Sequence, residues 1–314
     1  MDKLIFTHKN NRKYIFVDWD LSSICNYNCY YCGEEAHDGK FNFPKIEHVR
    51  NFIDKIQQIY SNKEFAIYNL LGGEPTLWKD LKNFTSYVKK VNDRNIVQLL
   101  TNGSRSLKWW KENALYMDRI IVSIHVANCK IEPLIEKLNN ISNLLDIEVQ
   151  VAIDLNIFDK CIDFYNYAYN NLTSSICLRP KPLKKNLSVS GMMDYTNHQI
   201  DIIKKLPQIE GKFKKKFSSS MILNDEDVDI TSLITDKKNN FKDWACWIGI
   251  DTINVRRDGR VKIGSACNPD LILGNIKDCN FNIPMLPVKC RYNTCECWAD
   301  LHTTKVKNYA GQTL

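Results

Sequence analysis

Apolar residues recur along the first 180 positions in two alternating rhythms. Between 45 and 60 they fall at Ile46, Val49, Phe52, Ile53 and Ile56, the three-to-four spacing that gives a helix one apolar face. Short apolar runs of strand length stand on either side, at 14–21 and 65–71. The same two signals continue. Helices are expected at about 80–92, 106–115, 131–144 and 158–170, and strands at 96–101, 119–125, 147–155 and 175–180. Six strands separated by helices predict an α/β chain with a parallel sheet. Ligands in such sheets gather at the carboxyl ends of the strands.

Past 180 the rhythm changes. Pro180-Lys181-Pro182 interrupts it, a helix is expected at 195–206, and 211–243 is charged and irregular. Ile250, Thr252, Asn254 and Val255 before Asp258-Gly259, with Val261 and Ile263 after, read as a β-hairpin. The pattern therefore divides the chain into a core at 1–182, a connecting and substrate-covering segment at 183–243, and a small unit at 244–314.

The totals are ordinary for a globular protein: 314 residues, 44% hydrophobic and 25% charged. Apolar runs are strand-sized, so no membrane span is expected. Residues 1–8 lack the features of a signal peptide, and a cytoplasmic location is expected. The formal charge is +7, densest at 184–186 and 212–216. Such runs are usually solvated faces, and nucleic-acid binding is not expected.

The twelve cysteines change the picture. In a cytoplasmic setting a disulfide framework is not expected. Cys129, Cys161 and Cys177 are isolated and read as small hydrophobes. Cys25, Cys29 and Cys32 lie within eight residues, after the first expected strand. Asn26, Asn28 and Gly33 favour a loop there, and a loop can aim three sulfurs at one point, as a soft metal or an iron–sulfur cluster requires. Three thiols leave one position of a four-coordinate site open. A zinc knuckle and three unrelated buried thiols are the alternatives.

The C-x3-C-x2-C spacing, with Tyr31 before the last cysteine, resembles that of the radical S-adenosylmethionine (radical SAM) enzymes. The resemblance implies a partial (β/α)6 TIM-like barrel, with Cys25, Cys29 and Cys32 holding a [4Fe–4S] cluster and Tyr31 beside the adenine. SAM would chelate the fourth iron, and a reductant such as flavodoxin or ferredoxin would supply the electron that releases a 5′-deoxyadenosyl radical. Gly72-Gly73-Glu74-Pro75 matches the family's GGEP motif, which binds the amino group of SAM. Glycines permit close backbone approach, and a carboxylate accepts from an ammonium. Thr101-Asn102-Gly103 resembles the TNG that relatives carry at the next strand end. Ser123 and His125 stand where the family places groups that touch SAM, and Arg179 is a candidate to hold a carboxylate.

The hairpin, with Cys246 and Cys267 flanking its arms, and the later Cys290-x4-Cys295-x-Cys297, resemble the twitch domain, a shortened SPASM extension. This implies a second, auxiliary [4Fe–4S] cluster on Cys246, Cys267 and two of Cys290, Cys295 and Cys297. The interval from Gly259 to Cys267 is longer than usual and the ending is not that of a full SPASM domain, so zinc at this second site stays open. Five thiols for four positions leave one over, and Cys297 or Cys279 are candidate hydrogen-atom donors. The function expected is hydrogen abstraction from a polar substrate, a ribosomally made peptide that is oxidised, cross-linked or epimerised. A dehydrogenase or epimerase of a sugar or aminocyclitol is the alternative, and a zinc-stabilised binding protein is the alternative from another class.

Overall fold

The computed structural model describes residues 4–8, 13–185, 192–212, 221–228, 230–265, 267, 271–295 and 297–313. Strand β1 (Leu4–His8) is followed by β2 (Tyr14–Asp20), α1 (Ile46–Ile59), β3 (Phe65–Leu71), α2 (Leu81–Val91), β4 (Ile96–Thr101) and α3 (Leu107–Asn113). Next come β5 (Arg119–Ile124), α4 (Ile131–Ile141), β6 (Asp146–Ile153), α5 (Phe158–Asn171), β7 (Cys177–Pro182) and α6 (Asn197–Lys205). The remainder holds β8 (Met221–Leu223), β9 (Glu226–Val228), α7 (Ile230–Thr235), β10 (Ala245–Cys246), β11 (Thr252–Val255), β12 (Arg260–Lys262), β13 (Ile272–Asn275), β14 (Asn280–Phe281), β15 (Val288–Lys289), α8 (Trp298–Leu301) and β16 (Lys305–Lys307).

The six expected strands are β2 to β7, all parallel to their neighbours. Their apolar positions alternate, as a strand's period of two requires. Ile15, Val17 and Trp19 of β2 and Val149 and Val151 of β6 turn outward onto the helices. There they meet Val49, Phe52, Ile53 and Ile56 of α1 and the matching faces of α2 to α5. Trp19 lies edge-on to Phe52 at 5.0 Å and to Phe84 at 6.0 Å between ring centroids. Each such side chain, fully buried, contributes about 1.5–3 kcal/mol of transfer free energy.

The other face of the same strands is polar. Asp18, Asn69, Gln98, Ser123 and Gln150 occupy positions out of phase with the outward apolar set. Parallel sheets are normally apolar on both faces. Polar inward positions across so many neighbouring strands suit a ligand-holding interior better than a packed core.

The sheet is open. Its order is β14-β13-β12-β11-β2-β3-β4-β5-β6-β7, with β7 and β14 at its edges, which fits a partial TIM-like barrel. The C-terminal hairpin β11–β12 forms as its sequence predicts, with Gly259 at φ +90° in the turn. One relation is new: β11 runs parallel to β2 from Thr252↔Phe16 to Val255↔Trp19, so the hairpin extends the core sheet. A second, antiparallel sheet has the order β15-β10-β16-β1-β8-β9. It joins residues 4–8, which carry no sequence expectation, to both ends of the region after 220. Of the basic runs, residues 186 and 213–216 lie outside the described residues. No helix among the described residues is long and apolar enough to cross a membrane.

Candidate active site at the strand ends

The loop after β2 carries Cys25, Cys29 and Cys32. Cys29 precedes a short 3-10 turn at Tyr30–Cys32, closed by the Cys32 N–H donating to the Cys29 carbonyl at 2.9 Å. This turn brings two sulfurs together: Cys32 donates to Cys29, which lowers the Cys29 pKa and raises that of Cys32. Asn128 Nδ2 donates to Cys29 Sγ at 3.2 Å, and the Tyr27 N–H to Cys25 Sγ at 3.4 Å. Cys25 is close enough for its charge to bear on Cys32, though among the described residues no three side chains already converge as a metal site. The donor set suits a thiophilic centre: three thiols on one short loop, two in contact, with amide donors turned towards sulfur.

Two glycines let the next loop close against this one. A Cβ on Gly72 would stand 1.9 Å from Asp20 Oδ1, and one on Gly73 would stand 2.1 Å from the Ile24 carbonyl oxygen. Both have positive φ, +87° and +53°. Only glycine fits either requirement without strain. Pro75 then opens a 3-10 turn and is buried.

Glu74 is 1% exposed and its carboxylate is taken by protein donors. Oε1 accepts from the Thr76 N–H at 3.1 Å and from the Thr76 and Thr101 hydroxyls, each at 2.7 Å. Oε2 accepts from the Asn102 N–H at 2.7 Å. Asn102 Nδ2 donates to Asn26 Oδ1 at 2.9 Å, and Asn26 Nδ2 donates to Ser104 Oγ at 2.9 Å. The loops after β2, β3 and β4 are thus one hydrogen-bonded unit. The carboxylate that the resemblance assigns to the SAM ammonium thus also latches these loops together.

Tyr31 is buried, and its hydroxyl shares a 2.7 Å hydrogen bond with His125 Nδ1. The two rings stack at 5.7 Å and 14°. His125 therefore orients Tyr31, and Ser123 is buried on the inward face of β5. Arg179 is not held open: its guanidinium pairs with Glu210 at 2.7 Å and bonds to Gln208. Within the interior Gln98 donates to Asn69, and Asn69 and Asn254 donate to Asp18. Burial pushes the Asp18 carboxyl up to about 7. Asp20 accepts from Arg257 Nε at 2.9 Å, leaving its buried Oδ1 without a hydrogen-bond partner beside Gly72.

The second thiol group lies at the joint of the two sheets. Cys267 donates to Cys295, raising the first and lowering the second. Burial pushes Cys246 up to about 12, with the charges of Cys295 and Cys290 adding to it. Cys297 keeps other company: burial, Asp300 and Asp18 raise it, and it bonds with Ser265. Cys279 corrects its sequence assignment. It sits in the β13–β14 turn beside Asp54 and Lys55 of α1, on the helix-covered side of the sheet, where its thiol donates to the Ile276 carbonyl at 3.3 Å. A hydrogen donor to a radical in the interior would need the other face.

Sequence reasoning missed Asn128, Asn26 and, above all, Lys305. This lysine is 1% exposed and its ammonium donates to the carbonyls of Asp300, Thr303 and Leu301 at 2.7, 2.9 and 3.3 Å. Burial alone would lower its pKa, but Cys295, Cys246, Cys267 and Asp300 outweigh burial and raise it.

Residues 19–152 match the model of the radical SAM superfamily, and this segment is a radical SAM domain. Enzymes of that superfamily use a [4Fe–4S] cluster and SAM. A probable GTP 3′,8-cyclase of Sulfurisphaera tokodaii is 31% identical over 106 residues, 33% of this chain and 32% of that protein. A GTP 3′,8-cyclase of Actinobacillus pleuropneumoniae serotype 3 is 25% identical over 140 residues, 43% of this chain and 39% of that protein. The chain thus spans between a third and two fifths of these relatives. Among solved structures, anSMEcpe with bound AdoMet superposes with a TM-score of 0.54 at 14% identity, covering 85% of this chain and 78% of that one. SuiB of Streptococcus suis bound to the precursor peptide SuiA gives 0.50 at 12% identity, covering 87% and 66%. At such identities the likeness speaks of fold.

Proposed function

We propose that this chain is a radical SAM enzyme in which Cys25, Cys29 and Cys32 hold the SAM-binding [4Fe–4S] cluster. The observation that carries the reading is the hydrogen-bonded unit of Asn26, Asn102, Ser104 and Glu74, which locks the three strand-end loops around the thiols. When bound, the cluster and SAM supply a 5′-deoxyadenosyl radical that takes a hydrogen atom from substrate. The protein's part is to hold and exclude. Asn128 donates to the Cys29 sulfur, and His125 fixes the Tyr31 ring, which would flank the nucleoside. Oε2 of Glu74, which accepts one protein hydrogen bond, would take the methionyl ammonium together with the main-chain carbonyls of Gly72 and Gly73.

The interior row of Gln98, Asn69, Asp18 and Asn254 supports a polar substrate. A ribosomally made peptide is the substrate we put first, drawing on two fold neighbours, SuiB and anSMEcpe, whose structures hold a precursor peptide and the Cp18Cys peptide. A small polar molecule, a nucleotide or a sugar, is the second reading, drawn from the sequence likeness to GTP 3′,8-cyclases.

At the second site we assign Cys246, Cys267, Cys290 and Cys295 to an auxiliary [4Fe–4S] cluster, leaving Cys297 facing Asp18. The chemistry of the donor set supports this: these four sulfurs bear on one another, and a buried ammonium stands beside them. The test is iron and sulfide analysis after anaerobic purification. About eight irons per chain are expected, falling to about four in Cys246→Ala/Cys267→Ala. Zinc without sulfide would overturn the assignment.

A further inference from the structure

Lys305 is among the largest side chains that the fold buries completely. It stands on β16 directly opposite Cys246 of β10, and on its other side directly opposite Phe6 of β1. Residues paired in this way share one face of an antiparallel sheet. Its ammonium is 5.4 Å from the Phe6 ring centre and 5.0 Å from that of Phe241. Its three donors are spent on three carbonyls at and just beyond the end of α8, which are neutral acceptors.

Among the described residues Lys305 forms no ion pair with a carboxylate. A buried, uncompensated charge costs several kcal/mol, and folds keep one only where an anion answers it. The anionic groups whose charge bears on it are the sulfurs of Cys246, Cys267 and Cys295 and, beyond ion-pair distance, the Asp300 carboxylate. With those thiols neutral, only the Asp300 carboxylate would answer the ammonium, and its Oδ1 already accepts from the Ser265 N–H at 3.0 Å. As ligands of an iron–sulfur centre they would add negative charge directly opposite the ammonium.

We propose that Lys305 is the built-in counter-ion of the second thiol site and sets how readily a cluster there accepts an electron. The inference rests on the assignment of an auxiliary cluster to those cysteines. A fixed positive charge in a low-dielectric setting favours the more negative, reduced state of its neighbour. Lys305 touches no substrate on this account. It acts through the cluster, as a positioning residue.

The test starts from a parent with Cys25, Cys29 and Cys32 all changed to Ala, so that only the second site carries iron. Redox titration followed by electron paramagnetic resonance then compares the parent with Lys305→Met, Lys305→Gln and Lys305→Arg. Gln keeps donors for the carbonyls but loses the charge; Arg keeps the charge. At the parent's midpoint, Met and Gln should lower the reduced-to-oxidised ratio roughly tenfold, while Arg stays near the parent. A lysine that merely closes the end of α8 predicts otherwise: Met lowers the unfolding temperature and Gln restores it, with the midpoint unmoved in both. That result would overturn the inference alone. If Met does not fold, the Gln midpoint decides. A parent that holds no iron, or only zinc, overturns the auxiliary-cluster assignment, and the inference with it.

Discussion

The carboxylate of Glu74 accepts the backbone N–H of Asn102 at 2.7 Å, and through that bond the strand end of β3 is fastened to that of β4. Every group facing Glu74 is a donor, two of them backbone N–H groups that cannot reverse. Glu74→Gln therefore leaves one backbone donor against an amide NH2, whichever way the amide turns. The expected cost is about 1–3 kcal/mol of stability, read by denaturant unfolding. An unchanged midpoint would show that the carboxylate is not the latch.

The Tyr31–His125 pair separates ring position from hydrogen bonding. Tyr31→Phe keeps the stacked ring and loses the 2.7 Å bond. His125→Ala loses both and frees the ring. Measured by equilibrium dialysis on the reconstituted protein, SAM affinity should fall about twofold to fivefold in the first and roughly tenfold in the second. Equal losses would mean that stacking contributes nothing.

Asp18 predicts a pH dependence. Burial raises its folded pKa to about 7 from an ordinary 3.8. The folded state therefore binds the proton more tightly than the unfolded one, and stability from this group is full below 3.8 and lost as pH rises towards 7. Asp18→Asn removes the titration. Asn254, whose buried Oδ1 has no hydrogen-bond partner, can turn its amide to accept from the new side chain. The variant should gain on the parent protein between pH 5 and pH 8 in urea unfolding. A difference that stays constant across that range would contradict the assignment.

The parallel core was legible because each strand and helix declares itself within a short window. Ile46 to Ile56 need only their own spacing to predict α1, and Asp258-Gly259 predicts the hairpin turn. Relations made across the chain were not legible. Asn254 donates to Asp18 over 236 positions, and nothing local in the hairpin says that it pairs in parallel with β2. Strand β1 is five residues whose partners lie beyond 220. Lys305 reads in sequence as one more lysine in an alternating stretch; only the register opposite Cys246 shows that it is buried. The same holds for the cysteines, where spacing could not show that Cys297 has Asp300, Asp18 and Ser265 for neighbours. One signal was present and passed over: Asp18 and Asp20 alternate with Val17 and Trp19 inside an apolar strand, which marks the inward face as polar.

The measurement closest to the central claim is 5′-deoxyadenosine formation from SAM under anaerobic reduction by dithionite. The reconstituted protein should form it, and Cys25→Ala, Cys29→Ala and Cys32→Ala should each reduce it to background while the iron of the second site remains. Formation that persists in all three, or that never occurs in the protein holding its full complement of iron, would contradict the account.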